Sequence, residues 1–171
     1  MKRLVIIRHA QAENYAPTDF SRNLTSDGII QMEMAAEKLA TELTGGGGEL
    51  SDAAGFDISS TKILASAAAR TVQSARVVAR VLGIPTDKID LRKALYHANH
   101  SDYLNGIAVS DDSVEYLIVV GHNPAVSLLV GELMGGEIAP MRKGSIAVFT
   151  AKIDRWQDIY VTHPVLSAFI I

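Results

Sequence analysis

Residues 3–9 read Arg-Leu-Val-Ile-Ile-Arg-His, RLVIIRH. The run is apolar on both parities and rich in β-branched side chains, which predicts a strand buried on both faces rather than a half-solvated one. A strand of that kind belongs to a sheet with helices packed on each side, so these seven residues already point to an α/β fold. A chain normally leaves such a strand through small turn-forming residues. This one leaves through Arg8 and His9, two side chains suited to a phosphate oxygen.

The rest of the chain repeats the alternation. Ile29, Met32, Ala36, Leu39 and Leu43 recur at spacings of three and four, predicting a helix that opens at Thr25 or Ser26, with Asp27 in its positive first turn. The helix should stop at the four glycines from 45 to 48, and residues 45–55 read as a mobile surface insertion in one domain spanning 1–171. They do not read as a phosphate-cradling loop, because no Lys-Ser or Lys-Thr follows the glycines. TKILAS (61–66) predicts a second strand, and Ala68, Val72, Ala75, Ala79 and Leu82 a second helix ended by Gly83. Residues 92–99 read as loop and 102–108 as a short helix. EYLIVVGH (115–122) is a further strand, and Pro124 opens a helix with Val126, Leu129, Val130 and Leu133 inward. SIAVFTA (145–151) and DIYVTH (158–163) predict closing strands.

Composition narrows the class. The chain has 171 residues, 48% hydrophobic and 20% charged, with a net charge of −3. Those values suit a globular domain and give no footprint for nucleic acid or an anionic membrane. With no cysteine, disulfides, thiolate metal sites and cysteine nucleophiles are excluded. After Met1-Lys2-Arg3 the apolar run covers only residues 4–7, short of the ~7–15 that a secretory signal needs and the ~20 of a membrane span. A cytoplasmic location is the expectation.

Three polar groups follow three strands: Arg8-His9 after the first, Ser66 and Arg70 after the second, and His122 after YLIVVG. Ligands in open α/β sheets bind beyond the carboxyl ends of strands, so the topology gathers two arginines and two histidines at one pocket. Phosphoryl transfer needs positioning and charge stabilisation above all, which arginines and a histidine donor supply. With cysteine absent, a histidine serves as nucleophile. Its unperturbed pKa is about 6.5 and neighbouring cations keep it neutral near pH 7.

The same residues carry a resemblance to the histidine phosphatase superfamily, and within it to the short bacterial SixA-type phosphohistidine phosphatases. The family's opening Arg-His-Gly is similar to Arg8-His9-Ala10, and its Leu-Thr-x-x-Gly to Leu24-Thr25-Ser26-Asp27-Gly28. Its Ser-x-x-x-Arg-Thr-x-Gln-x-Ala matches Ser66, Arg70, Thr71, Gln73 and Ala75, and its Gly-His-Asn-Pro matches Gly121–Pro124. PMRKGSIAVF (140–149) resembles the penultimate strand of that branch. The resemblance spans nearly the whole chain in order. It implies a three-layer α/β/α domain with a mostly parallel central sheet, the phosphoglycerate mutase-like fold. It implies His9 as nucleophile and Arg8, Arg70 and His122 as groups that bind and polarise the phosphoryl group, with Arg22 as a further helper in substrate binding. It implies no metal and no organic cofactor, and a partner protein that bears phosphohistidine, such as a phosphotransfer domain.

Two departures matter. Ala10 stands where the family has glycine, and residues 91–99, LRKALYHAN, lack the carboxylate that many superfamily members use as general acid. An alcohol leaving without a proton departs as an alkoxide, with a conjugate acid near ~15.7 like water's. Imidazole, at about 6.5, leaves neutral once its ring is protonated. A general acid contributes ~10²–10⁴-fold, so its absence favours a phosphoramidate substrate over an alcohol ester. His97 is a substitute proton donor by position, and Asp102 another, although Asp102 also suits a helix cap. Ser66 reads as a cap of the second helix more readily than as part of the chemistry. His97 and His100 form an H-x-x-H pair without the carboxylates of a metal set. Two other readings stay open: a phosphatase or mutase acting on a small phosphorylated metabolite, and a non-catalytic module that binds a phosphorylated partner.

Overall fold

A computed structural model of the chain describes residues 1–45, 55–136 and 139–171. The expected insertion at 45–55 lies almost wholly outside the described residues. These form one six-stranded sheet, built from β1 (Lys2–Arg8), β2 (Thr61–Ser66), β3 (Ile89–Arg92), β4 (Tyr116–Gly121), β5 (Ile146–Ala151) and β6 (Val165–Ile170). Their spatial order is β3-β2-β4-β1-β5-β6. β1 to β4 run parallel, β5 runs antiparallel to β1, and β6 antiparallel to β5, so the sheet is mostly parallel, as expected. Helices α1 (Ser26–Leu43) and α2 (Ala69–Leu82) cover one face, and α3 (His100–Ala108) and α4 (Ala125–Leu133) the other.

The two-sided burial of RLVIIRH follows from this layering. Successive strand side chains point to opposite faces. Leu4 and Ile6 join Leu117, Val119 and Phe149 beneath α3 and α4, while Val5 and Ile7 join Ile118, Val120 and Val148 beneath α1 and α2. These four residues of β1 are fully buried. At about 25 cal/mol per Å² of apolar surface, each such side chain contributes roughly 1.5–3 kcal/mol.

Several expectations need correction. The last strand is not 158–163: residues Trp156–Tyr160 form a 3-10 turn, and β6 starts only after Pro164. Trp156 draws that segment inward, fully buried with its indole N–H on the Val114 carbonyl at 2.9 Å. Residues 89–92 form the edge strand β3 beside β2, and 93–95 a 3-10 turn, so the 92–99 segment is not plain loop. Helix α3 starts at His100, with Asn99 as its N-cap in a capping box closed by Asp102. On α1, Ile29 is 37% exposed and Ala35 takes a buried position in its place.

Two glycines position the site by close approach. A Cβ on Gly28, in the first turn of α1, would lie 2.0 Å from the Gln11 carbonyl oxygen. That contact lets the segment after His9 run against the helix N-terminus, where Thr25 N–H donates to Gln11 O at 3.0 Å and the Thr25 hydroxyl caps Gly28 N–H at 3.0 Å. A Cβ on Gly121, the last residue of β4, would meet the Tyr103 hydroxyl at 2.6 Å.

Candidate active site

Strand register brings the predicted residues together. Arg8 pairs with Gly121 across β1 and β4, so His9 and His122 leave neighbouring strands side by side. His9 N–H donates to Gly121 O at 3.2 Å, and the two imidazoles meet edge to face with centroids 5.3 Å apart. The chain returns to this point at residues 141–144, where Gly144 N–H bonds the carbonyls of both Arg8 and His9.

His9 is 8% exposed, and its Nδ1 lies 2.8 Å from the Ala10 carbonyl oxygen. A carbonyl only accepts, so Nδ1 carries the proton and Nε2 keeps its lone pair. Burial pushes the His9 pKa down to about 4; the Ala10 bond opposes this, and the charges of Arg70, Arg8 and Lys143 add to it. The ring is neutral at pH 7.

His122 is equally buried. Its Nε2 lies 2.8 Å from the Ser66 hydroxyl, and burial followed by the neighbouring His9 and Arg70 lowers its pKa to about 3. Ser66 Oγ also accepts Ala68 N–H at 3.4 Å, and when the hydroxyl donates its own proton to Nε2, Nδ1 is the protonated nitrogen. Ser66 is therefore the orienter of His122 rather than the cap of α2, whose N-cap Ala68 has no side-chain bond. His122 Nδ1 and Arg8 Nε are buried without a hydrogen-bond partner among the described residues, while an Arg8 terminal N–H reaches Met141 O at 2.8 Å. A buried donor without an acceptor costs ~1–3 kcal/mol. Two of them at adjoining strand ends suit an anion with several acceptor oxygens.

Arg70 enters from the first turn of α2, 7% exposed. It donates to the Asp19 carbonyl at 2.7 Å and to Asp19 Oδ2 at 3.0 Å. Arg22 donates to Asp19 Oδ1 at 2.8 Å and to the Glu13 carbonyl. Tyr96 completes the cluster: its hydroxyl donates to Asp19 Oδ2, and its ring lies 5.8 Å from His122 and under the Arg70 guanidinium. The Tyr96 hydroxyl and Arg22, with Arg70 behind them, hold the Asp19 carboxyl well below the usual carboxylate range against the opposing effect of burial. Asp19 is thus a carboxylate in the site that sequence reasoning missed. Its signal was faint, a lone Asp three residues before Arg22 with no periodic context.

The remaining candidates separate. His97 lies tilted against Tyr96 with ring centroids 4.1 Å apart, whereas His100 lies 3.6 Å from Glu132. Asp102 is committed to the Asn99 backbone at 2.9 Å and does not reach the cluster by any bond recorded among the described residues. No group of three or more potential metal ligands occurs among the described residues.

Comparison with known protein families and with curated proteins finds no match for this chain. Solved structures do match over its whole length. A candidate phosphohistidine phosphatase SixA from Agrobacterium tumefaciens is 25% identical, with 99% of this chain and 97% of that chain covered and a TM-score of 0.74. One from Nakamurella multipartitia is 24% identical, with 99% and 95% covered and a TM-score of 0.78. A mycobacterial glucosyl-3-phosphoglycerate phosphatase complexed with inorganic phosphate is 14% identical, with 100% and 98% covered and a TM-score of 0.62. The chain resembles the SixA structures of the histidine phosphatase superfamily, and its sheet and helices have their phosphoglycerate mutase-like α/β fold.

Proposed function

We propose that this chain is a histidine-type phosphatase that hydrolyses phosphohistidine on a partner protein through a covalent phospho-His9 intermediate. The observation that carries the reading is the His9 Nδ1 bond to the Ala10 carbonyl, which leaves Nε2 with a lone pair on a neutral ring beside two unpaired buried donors. His9 Nε2 attacks phosphorus. Arg8, His122 Nδ1–H and Arg70 take up the charge of the transferring oxygens. Arg22 supports the same region through Asp19. In the second step water attacks phospho-His9, the P–N bond breaks with its electron pair returning to Nε2, and phosphate leaves with the water's protons. Splitting the hydrolysis in two gives each step an in-line displacement on one positioned phosphorus.

The substrate preference follows from what the site can protonate. Asp19 is ionised and bonded to two arginines and a tyrosine, so it has no proton to donate. Without a carboxylic acid to protonate the leaving group, an alcohol ester loses ~10²–10⁴-fold and an imidazole leaving group far less. The 25% identity to a candidate phosphohistidine phosphatase supports the same choice.

The test compares phosphate release from a phosphohistidine-bearing protein, p-nitrophenyl phosphate and phosphoserine, for the native chain and His9→Ala. Release from phosphohistidine that His9→Ala reduces at least a thousandfold, with phosphoserine nearly inert, is the expected result. Turnover of phosphoserine or a sugar phosphate at a comparable rate would hand the lead to a metabolite phosphatase. Binding of the phosphorylated protein with no turnover of any substrate would leave a docking module.

A further inference from the structure

Asp19 sits on a 3-10 turn, Asp19–Ser21, held by a capping box between Thr18 and Ser21. A carboxylate offers about four acceptor positions. Three are taken: Oδ1 by Arg22 at 2.8 Å, and Oδ2 by Arg70 at 3.0 Å and by the Tyr96 hydroxyl. The fourth, on Oδ1, belongs to a side chain still 51% exposed, and the charge of Asp19 bears directly on His122. An anion placed beside a pocket for an anion repels its ligand. Neutralisation by Arg22 and Arg70 reduces that repulsion, and a ligand that brings an N–H donor next to its phosphate turns the rest into attraction. Serine and sugar phosphates bring no such cation. A phosphohistidine does, because its second ring nitrogen is protonated when the ring departs.

We propose that the Asp19 carboxylate is a specificity-determining residue whose open acceptor position takes the ring N–H of the phosphohistidine imidazole, favouring the protonated ring that leaves without a general acid. This rests on the phosphohistidine reading above. The electron count closes without a proton transfer. The His9 Nε2 lone pair forms the new P–N bond, the substrate's P–N bond breaks with its pair kept by the departing nitrogen, and the ring leaves as neutral imidazole with its N–H on Asp19. His9 ends in the matching state, phosphorylated on Nε2 and holding its Nδ1 proton against the Ala10 carbonyl. One imidazole replaces another, each with its far N–H on an oxygen acceptor.

The charged and titratable groups around Asp19 are Arg22 and Glu13 on the incoming loop, Arg70 on α2, Tyr96 and His97 on the 93–99 segment, and His122 after β4. The measurement is kcat/KM against pH for free phosphohistidine and for p-nitrophenyl phosphate, whose leaving group carries no N–H, with the native chain and Asp19→Asn. Asparagine keeps the shape of this half-exposed side chain and removes the charge. A carboxylate beside the substrate ring raises the pH at which that ring loses its proton, so Asp19→Asn should move the alkaline fall of phosphohistidine turnover about one pH unit lower. The ratio of phosphohistidine to p-nitrophenyl phosphate turnover should drop at least tenfold. Equal losses on both substrates with an unmoved alkaline limb would mean that Asp19 only holds Arg70, overturning this proposal while the phosphohistidine reading stands. No turnover by the native chain of either free phosphohistidine or a phosphohistidine-bearing protein would overturn both.

Discussion

At the residue scale the site is governed by which nitrogen holds which proton. Arg8, His9, Arg70 and His122 were legible because each follows a strand or opens a helix in a recognisable motif. The neutrality of His9 was legible from its cationic neighbours, although burial is its larger cause. Which nitrogen holds the proton was not legible, because that depends on groups placed by the fold, the Ala10 carbonyl on His9 and Ser66 on His122. Their consequence is measurable. Histidine in an unfolded chain titrates near 6.5, and His9 and His122 in the fold near 4 and 3. The unfolded chain therefore binds more protons between those values. The contribution of these rings to stability is complete above about pH 6.5 and is lost as pH falls toward 4 and then 3. NMR titration should show both imidazoles neutral at pH 5. Urea unfolding should show His9→Ala losing less stability than the native chain between pH 6.5 and 4.5, by up to about 1.4 kcal/mol per pH unit. A His9 resonance that titrates near 6.5 would remove the physical basis for its neutrality.

At the element scale, what could be read ahead was set by burial. β1, β2, β4 and β5 lie inside the sheet and are recognisable as apolar runs, and α1, α2 and α4 show the three-four spacing of a covered face. The elements that escaped are at the margins. β3 is an edge strand with no fully buried residue, so no hydrophobic run marks it. The sequence predicts a strand over residues 158–163, yet Trp156 and Ile159, three apart, are the buried pair of the segment, which is the spacing of a 3-10 turn. Asp19 lies in such a marginal element too, three residues long and without a buried position. Gly28 shows how an element places chemistry it does not take part in. Gly28→Ala would force its Cβ against the Gln11 backbone, where no flexible side chain can yield. The expected loss is about 1–3 kcal/mol, read as a lower urea midpoint at unchanged slope. The displaced residue 11 should also lower activity through His9. An unchanged midpoint would show that α1 and the 10–12 segment move apart freely.

At the scale of the whole molecule, the pocket belongs to no single element. Arg8 and His9 come from the end of β1, Ser66 and Arg70 from the β2–α2 junction, His122 from the end of β4, and Asp19 from the loop before α1. The antiparallel pair β5–β6 extends the sheet beyond β1, and its entry at 141–144 bonds back onto Arg8 and His9. Unfolding scatters these groups over more than a hundred residues of chain, so an anion that they hold together binds the folded state alone. Mass action then ties ligand to stability: at a hundred times its Kd, inorganic phosphate should add about 2.7 kcal/mol. For a chain of this length that is a rise of roughly 5–10 °C in Tm. Arg70→Ala removes a cation that no other element supplies at that position among the described residues and should abolish most of the rise, even though the Arg70 guanidinium in the free protein bonds Asp19 and lies over the Tyr96 ring. A full phosphate shift in Arg70→Ala would mean that the anion is held by β1 and β4 alone, and that the β2–α2 junction serves the fold rather than the phosphate.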